Sequence, residues 1–462
     1  MPVQCADESM TTGSTTADFF RFVVPSVLGL LAISSAGIVD GIFVGNYVGA
    51  TALASVNLVV PLYSVFFGLC VMIMVGSGVV AGKAKGAGDV RQVSNIFTKS
   101  LTIITLYSVI TASLAWFYAA ELAVFLGASG DSLVLTTEYI QILSPFLLFM
   151  GMTYSLSYFA RVDNAPNYAL TGLVITALTN VVLDIVFIQY WGWGVGGAAF
   201  ASGCAYVVGA VFFFVRLFGK AARIRLIKPY GSWLGLLRAA YNGLSELINE
   251  MSAGLLMFTI NWLLISEVGT TGVAAFTIVN YGLWLSTTIA YGTAEALGPL
   301  VSVNFGAGKP ERIARFMKLA VGLSVIIGIV FVTVLQRYPE QLAGVFISSD
   351  ERATLIMTLS IIAVIWPVFL FNGINIAISG YFTGMHCATQ SAVIALSRSL
   401  VLPLTFMLLF WKVFGFEAVF IAIPTAEAVT VVLSTVLFCR AKPAVVVARD
   451  RQAVAGPDAG AR

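Results

Sequence analysis

The sequence predicts an all-α polytopic membrane protein of twelve transmembrane helices in two six-helix lobes. Three observations carry this. The 462 residues are 59% hydrophobic and only 10% charged, whereas soluble domains carry about 25% charged residues. Apolar runs long enough to cross a bilayer, about 20 residues each, recur along the chain between short polar breaks. The second half repeats the first. Moving Val48-Gly49 forward by 220 residues lays VGATALASVNLV (48–59) on VGTTGVAAFTIV (268–279) and Gly86-Ala87-Gly88 on Gly306-Ala307-Gly308. Later, SPFLLFMG (144–151) aligns with WPVFLFNG (366–373) at a shift of 222. With an even number of spans per repeat, both halves face the same way, and a pseudo-twofold axis along the membrane normal is expected.

The spans are expected near 20–46, 51–80, 93–118, 133–158, 168–190 and 194–217, then 240–265, 271–300, 313–336, 354–382, 391–411 and 414–438. The domain reading follows: a tail over 1–18, an amino-terminal lobe over 19–217, a linker over 218–238, a carboxy-terminal lobe over 239–440 and a disordered tail over 441–462. The first eighteen residues are polar and acidic and show no signal-peptide pattern. With the amino terminus placed inside, all 25 Lys and Arg except Arg337, Arg352 and Lys412 fall in inner loops or inner helix ends. The positive-inside rule therefore puts both termini in the cytoplasm. The basic segment Arg216–Arg238 is read as a topological anchor. Cys5, Cys70, Cys204, Cys387 and Cys439 have no metal or disulfide spacing and act as small hydrophobes.

From Phe22 to Gly82 the only charged side chain is Asp40. A carboxylate at bilayer depth costs roughly 2.5–3.5 kcal/mol on insertion scales, so its default reading is functional. Asp40 lies roughly 10 Å below the outer end of the first span and Asp184 roughly 9 Å below that of the fifth, at 1.5 Å per residue. Asn180 shares a helix face with Asp184 one turn deeper, and Ser202 comes to similar depth on the sixth span. Two carboxylates, an amide and a hydroxyl supply hard oxygen ligands for a small cation, or a dyad that shares a proton. No Lys or Arg stands at that depth in the first, second, fifth or sixth spans to neutralise them. Under the repeat, Asp40 falls on Ile260, beside Asn261, so the second lobe lacks this pair and coupling is expected to be one-sided.

The second lobe has acids elsewhere. Glu246 and Glu250 lie one turn apart on the seventh span, and Glu295 lies toward the inner end of the eighth. Together with Asn261 they are candidates for a cavity wall that attracts cations; structural roles stand beside that reading. Glu427 and Arg398 are expected to pair with each other. Pro25, followed by Gly29 and Gly37, lets the first helix bend. His386 reads as a loop residue, and GWGVGG (192–197) as a tight turn.

These residues resemble the multidrug and toxic compound extrusion (MATE) family. The resemblance runs over about 18–440 and rests on Pro25 through VDGIFVGNYVG, the GAG turns, RVDNAPNYA (161–169), NVVLDIVFI (180–188), GVGGAAFAS (194–202) and GPLVSVNFGAG (298–308). It implies a secondary transporter that exports organic cations or amphipathic drugs in exchange for H⁺ or Na⁺ by alternating access. The family's amino-lobe cation site then falls on Asp40, Asn180 and Asp184, with Ser202 beside them, and Na⁺ would sit on the first three. No cofactor is expected beyond the coupling ion, and no enzymatic activity. No ATP-binding P-loop or nucleophile cluster is present. The expected partners are the drugs and the lipid bilayer, with no nucleic acid, in a monomer of the bacterial inner membrane. The alternative within the superfamily is a lipid-linked oligosaccharide flippase, which needs a cationic cavity that these spans do not offer.

Overall fold

Apolar runs with no aqueous partner for their backbone must satisfy every N–H and C=O internally, and helices do so within one segment. The structure is a computed structural model and describes residues 8–219, 222–344, 346 and 351–455. Among these residues there is no strand. Eleven helices are long and apolar enough to cross a membrane, or twelve when one bent pair counts as a single span. They are α1 (Thr15–Val48), α2 (Ala50–Gly86), α3 (Val90–Phe117), α4 (Asp131–Val162), α5 (Pro166–Tyr190) and α6 (Gly194–Phe218). The second set is α7 (Leu244–Glu267), α8 (Thr270–Gly306), α9 (Pro310–Arg337), α10 (Arg352–Ile365 with Val368–Gly384), α11 (Ala388–Phe414) and α12 (Phe416–Arg440). The two parts of α10 meet at 52°, at the Trp366-Pro367 step, where proline removes a backbone donor. All twelve expected spans are present.

The chain divides into two compact units, Val24–Gly243 and Leu244–Arg462 joined by Met1–Val23. The border departs from the sequence halves in two places, each for a visible reason. Arg312 donates to Asp18 Oδ2 at 2.7 Å and Lys309 to the Thr11 carbonyl at 2.8 Å, so the start of α1 belongs with α8 and α9. The linker runs along the start of α3. Tyr230 N–H donates to Asn95 Oδ1 at 3.0 Å, and Lys99 donates to the Ser232 carbonyl at 2.9 Å. It ends in a short helix, Leu234–Asn242. The tail expected to be disordered instead forms α13 (Pro443–Ala455). Its Val447 is buried and its Arg451 donates to the Gly308 carbonyl at 3.0 Å. Its Ala-, Val- and Arg-rich composition, with proline in the first turn, suits a helix once one face is covered. Residues 456–462, and Cys5, lie outside the described residues.

The repeat is legible in backbone geometry within each unit. Gly49 and Gly269, which open α2 and α8, both take positive φ (120° and 77°). So do Asn164 and His386, the only non-glycine residues described that do, at 68° and 60° before α5 and α11. His386 is thus a turn residue, and it packs against Phe305 with ring centroids 5.6 Å apart. In the RVDNAPNYA turn, Asp163 pairs with Arg216 at 3.0 Å. Burial pushes the Asp163 carboxyl above its ordinary range, and Arg216 draws it back.

Helices in lipid gain little from hydrophobic exclusion and pack through small residues that bring backbones close. In the α5–α6 contact, a Cβ on Gly172 would run into the Phe213 ring, and one on Gly209 into the Thr176 hydroxyl. Gly172→Leu is therefore expected to destabilise the amino-terminal unit by roughly 1–3 kcal/mol, the usual cost of overpacking. A thermal melt followed by size-exclusion chromatography in detergent checks this against Gly235→Ala, a glycine with open space around it.

Candidate functional site

In the amino-terminal unit, α1 and α5 each carry one buried acid and each change helical form just beyond it. After Asp40, α1 widens into a π-helical turn at Val44–Val48, closed by Gly49 N–H to the Val44 carbonyl at 3.0 Å. After Asp184, α5 does the same at Ile185–Tyr190, with Trp191 N–H bonded to the Val186 carbonyl at 2.9 Å. Such turns insert one residue into the ladder and are frequent at functional sites. Here each one lies directly beyond an acid.

Asp40 is 8% exposed and Asp184 fully buried, and their carboxyl groups lie within hydrogen-bonding reach of each other. Asp40 Oδ1 and both oxygens of Asp184 have no hydrogen-bond donor among the described residues. Asn180 donates its amide N–H to Ser202 Oγ at 3.1 Å, tying α5 to α6 one turn below Asp184. The four residues that the sequence singled out thus stand on three adjoining helices. Two facing carboxylates in a low-dielectric interior repel strongly unless a proton or a cation stands between them.

The structure adds residues that sequence reading missed. Tyr139 of α4 is buried within electrostatic reach of both acids, with Tyr63 and Tyr206 beside it. Tyr63 and Tyr139 meet edge to face at 6.5 Å. Tyrosines at bilayer depth were the available signal, since a buried hydroxyl needs a polar partner. Nothing in the sequence said that α4 and α6 would bring theirs to these acids, with Tyr63 of α2 packed behind.

The carboxy-terminal unit is built differently. Ile260, at the repeat position of Asp40, is buried in an apolar cluster with Leu263, Phe276 and Met407. Glu246, Glu250 and Glu295 do come together, each within electrostatic reach of the others. Asn261 does not join them: it lies three turns beyond Glu250 on α7, about 16 Å at 1.5 Å per residue. The expected Arg398–Glu427 pair forms, Nε to Oε1 at 3.3 Å. It is part of a network in which Asn375 donates to Glu427 Oε2 at 2.7 Å and Ser434 donates to Asn375 Oδ1 at 2.8 Å. The repeat shows through again: Thr153 bonds the Tyr206 carbonyl in one unit, and Asn375, 222 residues on, bonds the Glu427 carbonyl in the other.

Eleven helices of spanning length, or twelve with the bent pair counted as one, define a polytopic membrane protein. The family model described as MatE matches residues 25–186 and 247–409. The chain belongs to that family, and is a membrane transporter and not an enzyme. It is 24% identical over 396 residues to the multidrug export protein MepA of Staphylococcus saprophyticus, covering 84% of this chain and 86% of that one. To MepA of Staphylococcus aureus strain NCTC 8325 it is 23% identical over 416 residues, covering 88% and 90%. A solved structure described as the outward-facing conformation of a multidrug resistance MATE family transporter superposes with a TM-score of 0.88. That match has 22% identity and covers 95% of this chain and 98% of that one.

Asp184→Asn should hold thermal stability near neutral pH, within about 1 kcal/mol, because an amide can donate the hydrogen bond that a shared proton otherwise supplies. Melting of the purified variant beside the native chain checks this. A large loss of stability would mean that Asp184 has a cationic partner.

Proposed function

We propose that the protein exports organic cations or amphipathic drugs in exchange for H⁺ or Na⁺, by alternating access, with Asp40 and Asp184 as the exchanging groups. One observation carries the reading: two buried carboxyl groups face each other with unpartnered oxygens in a bundle whose basic residues lie near one end. A proton or a small cation makes that arrangement stable, and its release makes it repulsive, so occupancy of the pair changes the energy of the packed state. Asn180, Ser202 and Tyr139 supply the neutral oxygens that hold a bare cation or orient a shared proton. The change reaches the backbone through α1, where Pro25 removes one ladder bond and gives the helix a place to bend.

In the other unit, Glu246, Glu250 and Glu295 form an acidic wall that draws in cationic substrates. The named MepA relatives, multidrug export proteins, support drugs as the cargo. The charge distribution supports placing the chain in the inner membrane with both termini cytoplasmic, acting as a monomer.

Asp40→Asn is expected to reach the membrane at normal levels and to abolish efflux. Accumulation of ethidium or norfloxacin in cells lacking their own pumps, with and without the gene, reads this out. Full efflux by the variant would overturn the assignment. In proteoliposomes, a pH gradient and a sodium gradient imposed separately identify the coupling ion. Whichever drives uptake into the native protein should fail to do so in Asp184→Asn, while Ser202→Ala is expected to weaken the response roughly tenfold, the cost of about one hydrogen bond to a charged group.

A further inference from the structure

Between α7 and α12, the only buried charged side chains among the described residues are Arg398, at 8% exposure, and Glu427, at 4%. An ion pair at that depth is costly to assemble, and well-packed apolar residues often replace such pairs at no loss of stability. Its surroundings give it a use.

Glu427 is anchored independently of its cation: its short bond, 2.7 Å, comes from Asn375, which Ser434 holds in turn. Arg398 is held loosely by comparison. It reaches Glu427 Oε1, Asn249 Oδ1 and the Tyr291 hydroxyl at 3.3 Å each, longer than the 2.7–2.9 Å typical of charge-assisted bonds. Two of those acceptors lead to the acids of the neighbouring helices. Asn249 is adjacent to Glu250 and shares its helix face with Glu246, and Tyr291 lies one turn before Glu295 on α8. The guanidinium is already close enough to act electrostatically on Glu246. It also sits in a π-helical turn, Ser397–Val401, where α11 carries one extra residue, an irregularity frequent at functional sites.

We propose that Arg398 is a tethered cation that competes with organic cations for Glu246, Glu250 and Glu295, and that Glu427 is the place it retires to when a substrate cation takes those acids. The inference rests on the reading of these acids as the cation-attracting wall, and it makes Arg398 and Glu427 positioning residues for substrate. Without substrate, the guanidinium acts on Glu246, one of three acids that lie within electrostatic reach of one another. When an organic cation arrives, the acids take it, and Arg398 moves fully onto Glu427, so that the guanidinium keeps a counter-charge. The unit therefore selects for ligands that outbid a guanidinium, which disfavours neutral compounds.

Equilibrium binding of ethidium to purified protein, followed by its fluorescence with no ion gradient, tests this. Every protein in the series carries Asp40→Asn/Asp184→Asn, so that the amino-terminal carboxylates cannot contribute. Glu427→Gln removes the retreat, forces Arg398 toward the acids, and is expected to weaken ethidium binding roughly fivefold or more, the low end of coupling between linked sites. Arg398→Gln/Glu427→Gln removes competitor and retreat together, leaves no unpaired buried charge, and is expected to bind ethidium at least as much more tightly. A purely structural network would move both variants in the same direction, and that result, or unchanged affinity in both, overturns the proposal. Should Glu427→Gln not fold, the double variant decides alone: tighter binding supports the proposal, and equal or weaker binding overturns it. Absence of ethidium binding across the whole series also overturns it. Loss of efflux by Asp40→Asn, read in cells in the otherwise native chain, is a separate result, so the coupling pair and the tethered cation fail independently.

Discussion

Two carboxyl groups that face each other without a donor are the constraint on which the amino-terminal unit turns. A buried charge is ordinarily neutralised by a neighbour of opposite sign or by backbone dipoles: in this unit Asp163 pairs with Arg216, and Lys99 donates to carbonyls of the linker. Asp40 and Asp184 are exempt from that rule. The groups recorded within electrostatic reach of them are the Tyr139 and Tyr206 hydroxyls and each other. On the function proposed above, their energy depends on the proton or cation that occupies them.

The carboxy-terminal unit solves the same packing problem with the opposite chemistry. Its scaffold repeats the first unit down to the positive-φ turns and the bond from mid-α10 to the α12 carbonyl. Where the first unit has Tyr206, however, the second has Glu427, and it carries its own cation in Arg398. Among the described residues, one unit leaves its buried carboxylates without a cationic side chain, and the other supplies one. Duplication supplied the framework, and divergence at a few interior positions set the two electrostatics apart.

Both centres sit beside breaks in regular helix. The π-helical turns after Asp40, after Asp184 and around Arg398 each give up one ladder bond's alignment beside a buried charged side chain. Elsewhere, glycines such as Gly172 and Gly209 let helices seat closely against Phe213 and Thr176. On the function proposed above, close packing of this kind would pass a change at the acids on as a shift of whole helices.

The sequence by itself determined the fold class, the twelve spans, the internal repeat and the identity of the four polar residues of the first unit. Hydrophobic length and the high cost of a charge in lipid leave little choice in these matters. The Arg398–Glu427 pair was legible for the same reason, since two lone opposite charges at one depth must find each other. Only the tertiary structure decided that Tyr139 and Tyr206 stand beside the acids, with Tyr63 packed on Tyr139, that Asn261 stands apart from Glu250, and that the start of α1 belongs with α8 and α9. It also decided that Pro443–Ala455 folds as a helix. Depth along a helix can be counted from the sequence, but the direction in which a side chain faces among several helices depends on how those helices rotate and pack. That is settled by many weak contacts together, none of which is written in any one segment.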